Sequence, residues 1–578
     1  MSKLNVDQKT IFDLLSDKKA DFLIPDYQRP YAWDEEQCQT LWDDVFIFSF
    51  PNDDYEAFDE NEEYFLGSIV MYKNEKGKSE VIDGQQRLTT LMLILRAFYD
   101  KFSNMQDRKS KLTRERIEKC IWKTDTFGTA DKSTLKIDSE VATDNDKEEF
   151  LELLRTGEVK PNSKNQYVNN YQFFQAKIDA FLQEYAGYFP YLPARLLNNC
   201  ILLPIEAESQ DTALRIFSTL NDRGLPLSDA DIFKAQFYKY YGSLNKKDDF
   251  ISEWKELEEI TGSVFSPITG TPMDELFTRY MYFLRAKEKN KSTTTESLRK
   301  FYERKKYQYL NKSNTIGELK ALALFWKSVS HQDKAQFSDD VLKKLFVLKY
   351  APNGMWQHIT SVYFLQNRSN DETLEDTKFI KFLDRITAFI FAYAITNPGV
   401  NALRTPVYDE MINIINGNNA TFSKYKFNKT QTQSSFNNYT FTNQRNATRS
   451  MITWYAYTFS GQKLLDVNEI FHLEHIYSKK RQEMEGGLKT ESNLDLLGNK
   501  VLLEGSINIK ASDYRFKDKK KIYSGEHRGK NKDASKIAEI TNLTNYKKFD
   551  EKQIIERNTT ILNKFFEFLQ REDLIVIV

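Results

Sequence analysis

Cysteine is scarce in this chain. Cys38, Cys120 and Cys200 lie far apart and form no CxxC or Cys/His pairing. That argues against a disulfide framework or a structural zinc and fits a reducing cytoplasm. Net charge is also lacking: 82 Lys and Arg stand against 83 Asp and Glu, a formal −1. No global basic field advertises nucleic acid, so any such surface has to be local. Long apolar runs are missing too. FIFAYAI, at 389–395, falls far short of the ~20 residues a membrane span needs and reads as a buried helix. The opening MSKLNVDQKT has no apolar signal core. A cytoplasmic protein with no membrane partner is expected. No Walker A sequence occurs, so any nucleotide hydrolysis is not of the P-loop type.

What is present suffices for several cores. With 578 residues, 40% of them hydrophobic, three or four compact units are expected. Residues 1–240 read as mixed α/β. The runs 63–73 and 80–83 are strand-like, Gly84 punctuates, and a helix follows from Gln85 with Leu88, Leu91, Leu95 and Phe98 on one face. The stretch 51–63 holds seven carboxylates and no base, a solvated loop that repels DNA locally. Residues 241–430 read as helix after helix leading into a linker. The stretch 411–465 has no Asp or Glu, and its first part resembles a loop. Residues 431–578 form a last domain.

Two of the five histidines, His472 and His475, fall in EIFHLEHIYSKK, with Glu474 directly before His475. On a strand, alternation puts Glu474 and His475 on opposite faces, whereas a strand end lets both approach one ion. Asn499 then opens a strand-like KVLL, and Asn508 starts a Lys-rich helix. This order, with a spacing of nine from one asparagine to the other, resembles the HNH, or ββα-metal, nucleases. The resemblance implies His475 as general base, Glu474 and Asn508 as ligands of Mg²⁺ or Mn²⁺, and Asn499 as support for the His loop. Phosphodiester hydrolysis suits that set: a base with a pKa near neutral and a hard cation on oxygen ligands. The family has Pro three residues after the histidine; Ser478 stands there. Residues 510–532 hold nine Lys or Arg against three acids, so Lys517, Lys519 and Lys520 are expected to meet DNA phosphates.

Four N-terminal stretches stand out: IPDYQRPYAW (24–33), YFLGSIV (64–70), VIDGQQRLTT (81–90) and ALRIFSTLNDRGLPLSDADIFKAQ (213–236). Asp83-Gly84 follows a strand and opens a helix, where a backbone can approach an anion and Arg87 can add a bidentate donor. Together these stretches resemble the N-terminal domain of the GmrSD-type modification-dependent restriction enzymes, which include the BrxU and SspE types. That domain is similar to the ParB/sulfiredoxin fold, whose Gly-X-X-Arg box cradles nucleotide phosphates. The resemblance implies nucleotide binding by Gln28, Arg29, Asp83, Gly84, Gln85, Gln86 and Arg87, with Asn221 and Arg223 in a second polar turn.

The expected protein is therefore a multidomain α+β enzyme: a ParB-like nucleotide-binding domain, a helical middle and a C-terminal HNH domain. The resemblance implies a type IV, NTP-dependent endonuclease of phage defence. It would act on double-stranded DNA with modified cytosines, using GTP, UTP, CTP or ATP, and a homodimer is allowed for. Alternatives are a nucleotide-switched ParB-like DNA-binding protein with an inactive HNH relic, a phosphorothioate-sensing nicking enzyme, and a toxin-like RNase.

Overall fold

The computed structural model describes the chain apart from residues 1–4, 7, 52–55, 57, 104, 142–143, 211, 215, 217–227, 291–296, 305, 398–402, 528–529, 532–533 and 577–578. The chain divides into two compact units, Met1–Lys255 and Glu256–Val578. The helical middle and the C-terminal segment share the second unit. Among the described residues no helix is long and apolar enough to cross a membrane.

The first unit is built on a mixed sheet of β1 (Asn5–Val6), β2 (Lys9–Thr10), β3 (Phe22–Ile24), β4 (Tyr64–Lys73), β5 (Ser79–Asp83), β6 (Ile137–Ser139) and β7 (Cys200–Ala207). Its order is β1-β7-β4-β5-β3-β6, with β2 also on β7. The hairpin β4–β5 is antiparallel, while β7 runs parallel to β4 and β3 parallel to β5. The two strands read from β-branched and aromatic residues are thus present to within a residue.

The chain leaves β5 through Gly84, whose φ of +88° is left-handed, and enters α2 (Gln85–Phe102). A preceding helix, α1 (Glu35–Ser49), starts with an Asp34/Gln37 capping box. The expected apolar face of α2 is present, but Met92, Leu93 and Ile94 on the other sides are also buried. A helix apolar all round belongs inside a core. It packs on α3 (Gln166–Glu184), with Trp42, Phe98, Phe174 and Phe181 in the same cluster. Cys38, Cys120 and Cys200 are buried and free, and burial pushes each thiol up to about 12. Helix α4 (Asp229–Ser243) is capped by Ser228, whose side chain accepts from Asp231 N.

The second unit is mainly helical. It contains α5 (Pro272–Lys287), α6 (Thr315–Ser330), α7 (Asp339–Leu348), α8 (Met355–Asn367) and α9 (Asp376–Thr396). FIFAYAI lies in α9 with Phe389 to Ala392 buried. In the acid-free stretch residues 416–426 are loop, as read for its first part, and the rest is structured. It contains β8 (Phe427–Asn428), α10 (Lys429–Asn438) and α11 (Asn446–Ala456), because Phe436, Met451, Ile452 and Tyr455 supply a buried face. Beyond it come the antiparallel pair β9 (Phe471–His475) and β10 (Lys500–Glu504), then α12 (Gly505–Ala511), α13 (Phe516–Tyr523) and α14 (Glu551–Arg571). The short strand β11 (Ile575–Val576) pairs with β8.

Candidate functional site

The register of β9 on β10 pairs His475 with Lys500, Glu474 with Val501 and His472 with Leu503. Every residue of β10 is buried. The turn into β10 is fixed from α14: Arg557 Nη1 donates to Leu497 O and Gly498 O, both at 2.9 Å, and Asn558 Oδ1 accepts from Gly498 N at 3.2 Å. Arg557 is itself held by buried Glu539. That clamp delivers Asn499.

Asn499 is fully buried and clasps the turn after His475 in both directions. Its Oδ1 accepts from Tyr477 N at 2.8 Å, and its Nδ2 donates to Tyr477 O at 3.0 Å and Leu494 O at 3.1 Å. It sits where support for the His loop was expected. Ser478, in the place of the family's proline, donates to Asp513 Oδ1 at 3.1 Å.

Both Glu474 and His475 are strand residues, so alternation separates their side chains. The His475 ring is partly buried beside Asp495, 3.8 Å from Nε2, and Lys500, whose Nζ donates to Nε2. Lys500 also binds Asp495 at 2.9 Å, and Asn443 Nδ2 lies 3.4 Å from Nδ1. Burial, then the Lys500 charge, pushes the imidazole down to about 4 against the opposing pull of Asp495. The ring is therefore neutral at pH 7, the form a proton acceptor needs, but it lies below the near-neutral range expected of the base from the sequence.

Glu474 is buried, and its Oε1 accepts from Lys519 Nζ at 2.6 Å and Tyr523 Oη at 2.9 Å. Lys519 Nζ also donates to His475 O at 2.7 Å. Burial raises the Glu474 carboxyl, and Lys519 opposes that rise. This corrects the assignment of Lys519 to DNA. The residue is fully buried and spent on Glu474. Lys520 donates to Tyr546 O at 2.7 Å, while Lys517 is exposed.

Asn508 lies inside α12 rather than at a helix start. Its Nδ2 faces His472 Nδ1 at 3.2 Å, and its Oδ1 is buried with no hydrogen-bond partner among the described residues. No cluster of three or more His, Cys, Asp or Glu able to hold a metal occurs among the described residues. The donors nevertheless suit a hard cation. Glu474 already holds one, the Lys519 ammonium, and Asn508 Oδ1 is an acceptor still unsatisfied.

In the first unit, Asp83, Gly84, Gln85 and Arg87 converge at the start of α2, whose N-terminus has no side-chain cap. Burial raises the Asp83 carboxyl, opposed by the Gly84 N–H and by Arg87 and Arg29. Arg87 donates from Nη1 to Ser68 O at 2.9 Å, and its guanidinium occupies the space beside Gly67 that a Cβ would fill. Arg29 Nε is buried with no hydrogen-bond partner among the described residues, and the Arg29 charge also reaches Asp231. Gln28 donates to Ile82 O at 3.0 Å, and its buried Oε1 has no partner among the described residues. Gln86 is otherwise employed than expected: it accepts from Ala32 N at 2.7 Å and donates to Pro30 O at 3.1 Å, pinning the 30–32 loop. Its amide is spent, and it is not an open ligand donor. Asn221 and Arg223 lie outside the described residues.

Sequence reasoning missed Lys500, Asp495, Asn443 and Tyr523. Lys500 was accessible, since it follows Asn499 and antiparallel pairing sets it opposite His475.

Residues 11–238 match the GmrSD restriction endonuclease N-terminal domain, and residues 422–564 match the GmrSD restriction endonucleases C-terminal domain. The protein is thus a restriction nuclease, a hydrolase whose substrate is DNA. It belongs to the GmrSD restriction endonuclease family. No curated protein matches the chain.

Proposed function

We propose that the chain is a type IV, NTP-dependent endonuclease that restricts foreign modified DNA, cutting it with an HNH-type site on β9, β10 and α12. The observation that carries the reading is the Asn499 clasp on the turn following a neutral, partly buried His475. His475 takes a proton from the attacking water at Nε2, once the Lys500 ammonium that donates there has turned to Asp495 alone. Lys500, buried against Asp495, keeps the ring unprotonated and sets a positive charge beside it. Glu474 and Asn508 would hold Mg²⁺ or Mn²⁺, with Lys519 giving way. A divalent ion there supplies stabilisation of charge on the phosphate and leaving oxygens. In the first unit, a ParB-like fold binds a nucleoside triphosphate at the open N-terminus of α2, with Arg29 and Arg87 as phosphate donors. GTP, UTP, CTP and ATP are the candidates.

The test is cleavage of matched modified and unmodified phage DNA, with Mg²⁺, Mn²⁺ or EDTA and with or without each triphosphate. Cutting that needs both metal and nucleotide and favours modified DNA is expected. Metal-independent cutting would sink the HNH assignment. Equal cutting of both DNAs would sink the modification reading.

A further inference from the structure

A cavity of about 360 Å³ lies within the second unit, lined from α5, α6, α7, α8 and residues 467–468. Its walls carry the rings of Phe265, Trp326, Phe346 and Trp356, two cations, Arg279 and Lys349, and no carboxylate among the described residues. Small-molecule sites have this character: ~300–1,000 Å³, aromatic walls and a few convergent polar groups.

Arg279 is the notable element. It is 4% exposed, and its guanidinium carbon lies 4.4 Å from the Phe265 ring centre and 4.3 Å from that of Trp326. Nε donates to Glu275 at 2.8 Å, but Nη1 is buried with no hydrogen-bond partner among the described residues. A buried charged donor left unmade is costly, and an incoming oxygen acceptor would complete it. Glu275 balances Arg279, so Lys349 leaves the lining with one net positive charge. A purely apolar guest would leave Nη1 orphaned, and a cation would be repelled.

One wall leads directly to the nuclease strand. Gln332 donates to Leu465 O at 2.8 Å and accepts from Val467 N at 3.0 Å, and Lys349 donates to Val467 O at 3.1 Å. Four residues beyond Val467 the chain enters β9 at Phe471, whose ring meets Phe346 edge-on at 6.0 Å.

We propose that this cavity binds a nucleotide, with its base against the aromatic walls and an anionic or carbonyl oxygen on Arg279 and Lys349. Aromatic walls accept any base by its face, and the paired cations suit its phosphate. The same chemistry could come from a free mononucleotide or from a nucleotide everted from DNA. The cavity stands independently of the nuclease reading, and only the DNA source rests on it.

The test uses the full chain in an Arg29→Ala background, which removes a donor of the N-terminal nucleotide site. Deoxycytidine monophosphate is titrated against tryptophan fluorescence, and duplex DNA carrying 2-aminopurine is followed by its own emission. Saturable dCMP binding weakened roughly tenfold or more by Arg279→Gln, and also by the exposed Lys349→Gln, is the expected result. If Arg279→Gln melts early, Lys349→Gln carries the test. A 2-aminopurine increase lost in the same variants assigns the cavity to everted DNA, whereas dCMP binding without it assigns a free nucleotide. No cavity-dependent signal in either arm overturns the proposal. Plasmid cleavage by the chain with Arg29 intact, measured in parallel, separates that failure from failure of the nuclease reading.

Discussion

Lys519 Nζ lies 2.6 Å from Glu474 Oε1, a buried ion pair between residues 45 positions apart. Removing one member of such a pair leaves an uncompensated charge, at a cost of about 3–5 kcal/mol. Lys519→Ala is therefore expected to lower unfolding free energy by that order in urea titrations. If Glu474 accepts a divalent cation, Mn²⁺ should recover part of the loss in this variant and do less for the wild type. A destabilised variant indifferent to Mn²⁺ would remove Glu474 from the set of metal ligands. An unchanged unfolding midpoint would mean that the pair does not form.

His475→Ala should cut the cleavage rate by roughly 10²–10⁴ while melting close to wild type, because the ring is only partly buried. Asn499→Ala should also slow cleavage, but through position. It removes two hydrogen bonds to the Tyr477 backbone and one to Leu494 O, so kcat falls with little change in KM and the melting temperature drops. Wild-type cutting by His475→Ala would end the assignment of the base.

The limits of sequence reading are visible in the same residues. Strands β4 and β5, helix α2 and the Ser228 cap follow from period and capping chemistry, which are local. Asn499 was legible from motif order. The role of Lys519 was not, because a lysine run reads as a solvated face. Yet Phe516, Lys519 and Tyr523 are spaced three and four apart and share the buried side of α13, so the helical period had already marked one lysine as internal. The acid-free stretch misled for a related reason. Its Asn and Thr residues suggest loops, but the tertiary burial of Phe436 and Met451 overrides that propensity.

Arg29→Ala should separate nucleotide binding from folding better than Arg87→Ala. Arg87 braces Ser68 O beneath Gly67, whereas Arg29, near Asp83, has an Nε with no partner among the described residues. Triphosphate affinity should fall about tenfold in Arg29→Ala with an unchanged melting temperature. Arg87→Ala should lose affinity and stability together. Unaltered affinity in both variants would make the box structural.

His358 gives the second unit an acid-sensitive element. Burial, then the charges of Arg279 and Arg404, pushes its imidazole down to about 3, and its ring stacks on Tyr282 at 4.2 Å. The unfolded chain binds that proton near pH 6.5, so the unfolded state gains protons first as pH falls. The stability is fully present above pH 6.5 and is lost progressively below it, the loss levelling off near pH 3. At ~1.4 kcal/mol per pH unit, about 2 kcal/mol is gone by pH 5. His358→Phe keeps the stack without the titration, so its stability should fall less between pH 6.5 and 5. Parallel curves for variant and wild type would refute this.

DNA contact by α13 must use the lysines that face solvent. Lys519 is buried and Lys520 caps Tyr546 O, which leaves Lys517 and Lys521 exposed on the helix that follows α12 and Asn508. Exposed Ile509 and Tyr514 lie on the same stretch of chain. Such a surface suits backbone phosphates, which position DNA without reading its sequence. Each duplex phosphate neutralised steepens the log–log salt dependence of binding by about 0.9. Lys517→Gln with Lys521→Gln should therefore weaken binding to modified and unmodified DNA alike and flatten the slope by up to about 1.8. The original trio including Lys519 would confound this by unfolding the Glu474 site. If the double variant lost only its preference for modified DNA, α13 would be a reader of the modification. An unchanged slope would place the phosphate contacts elsewhere in the second unit, with Arg445 on Tyr439 the next basic side chain to replace.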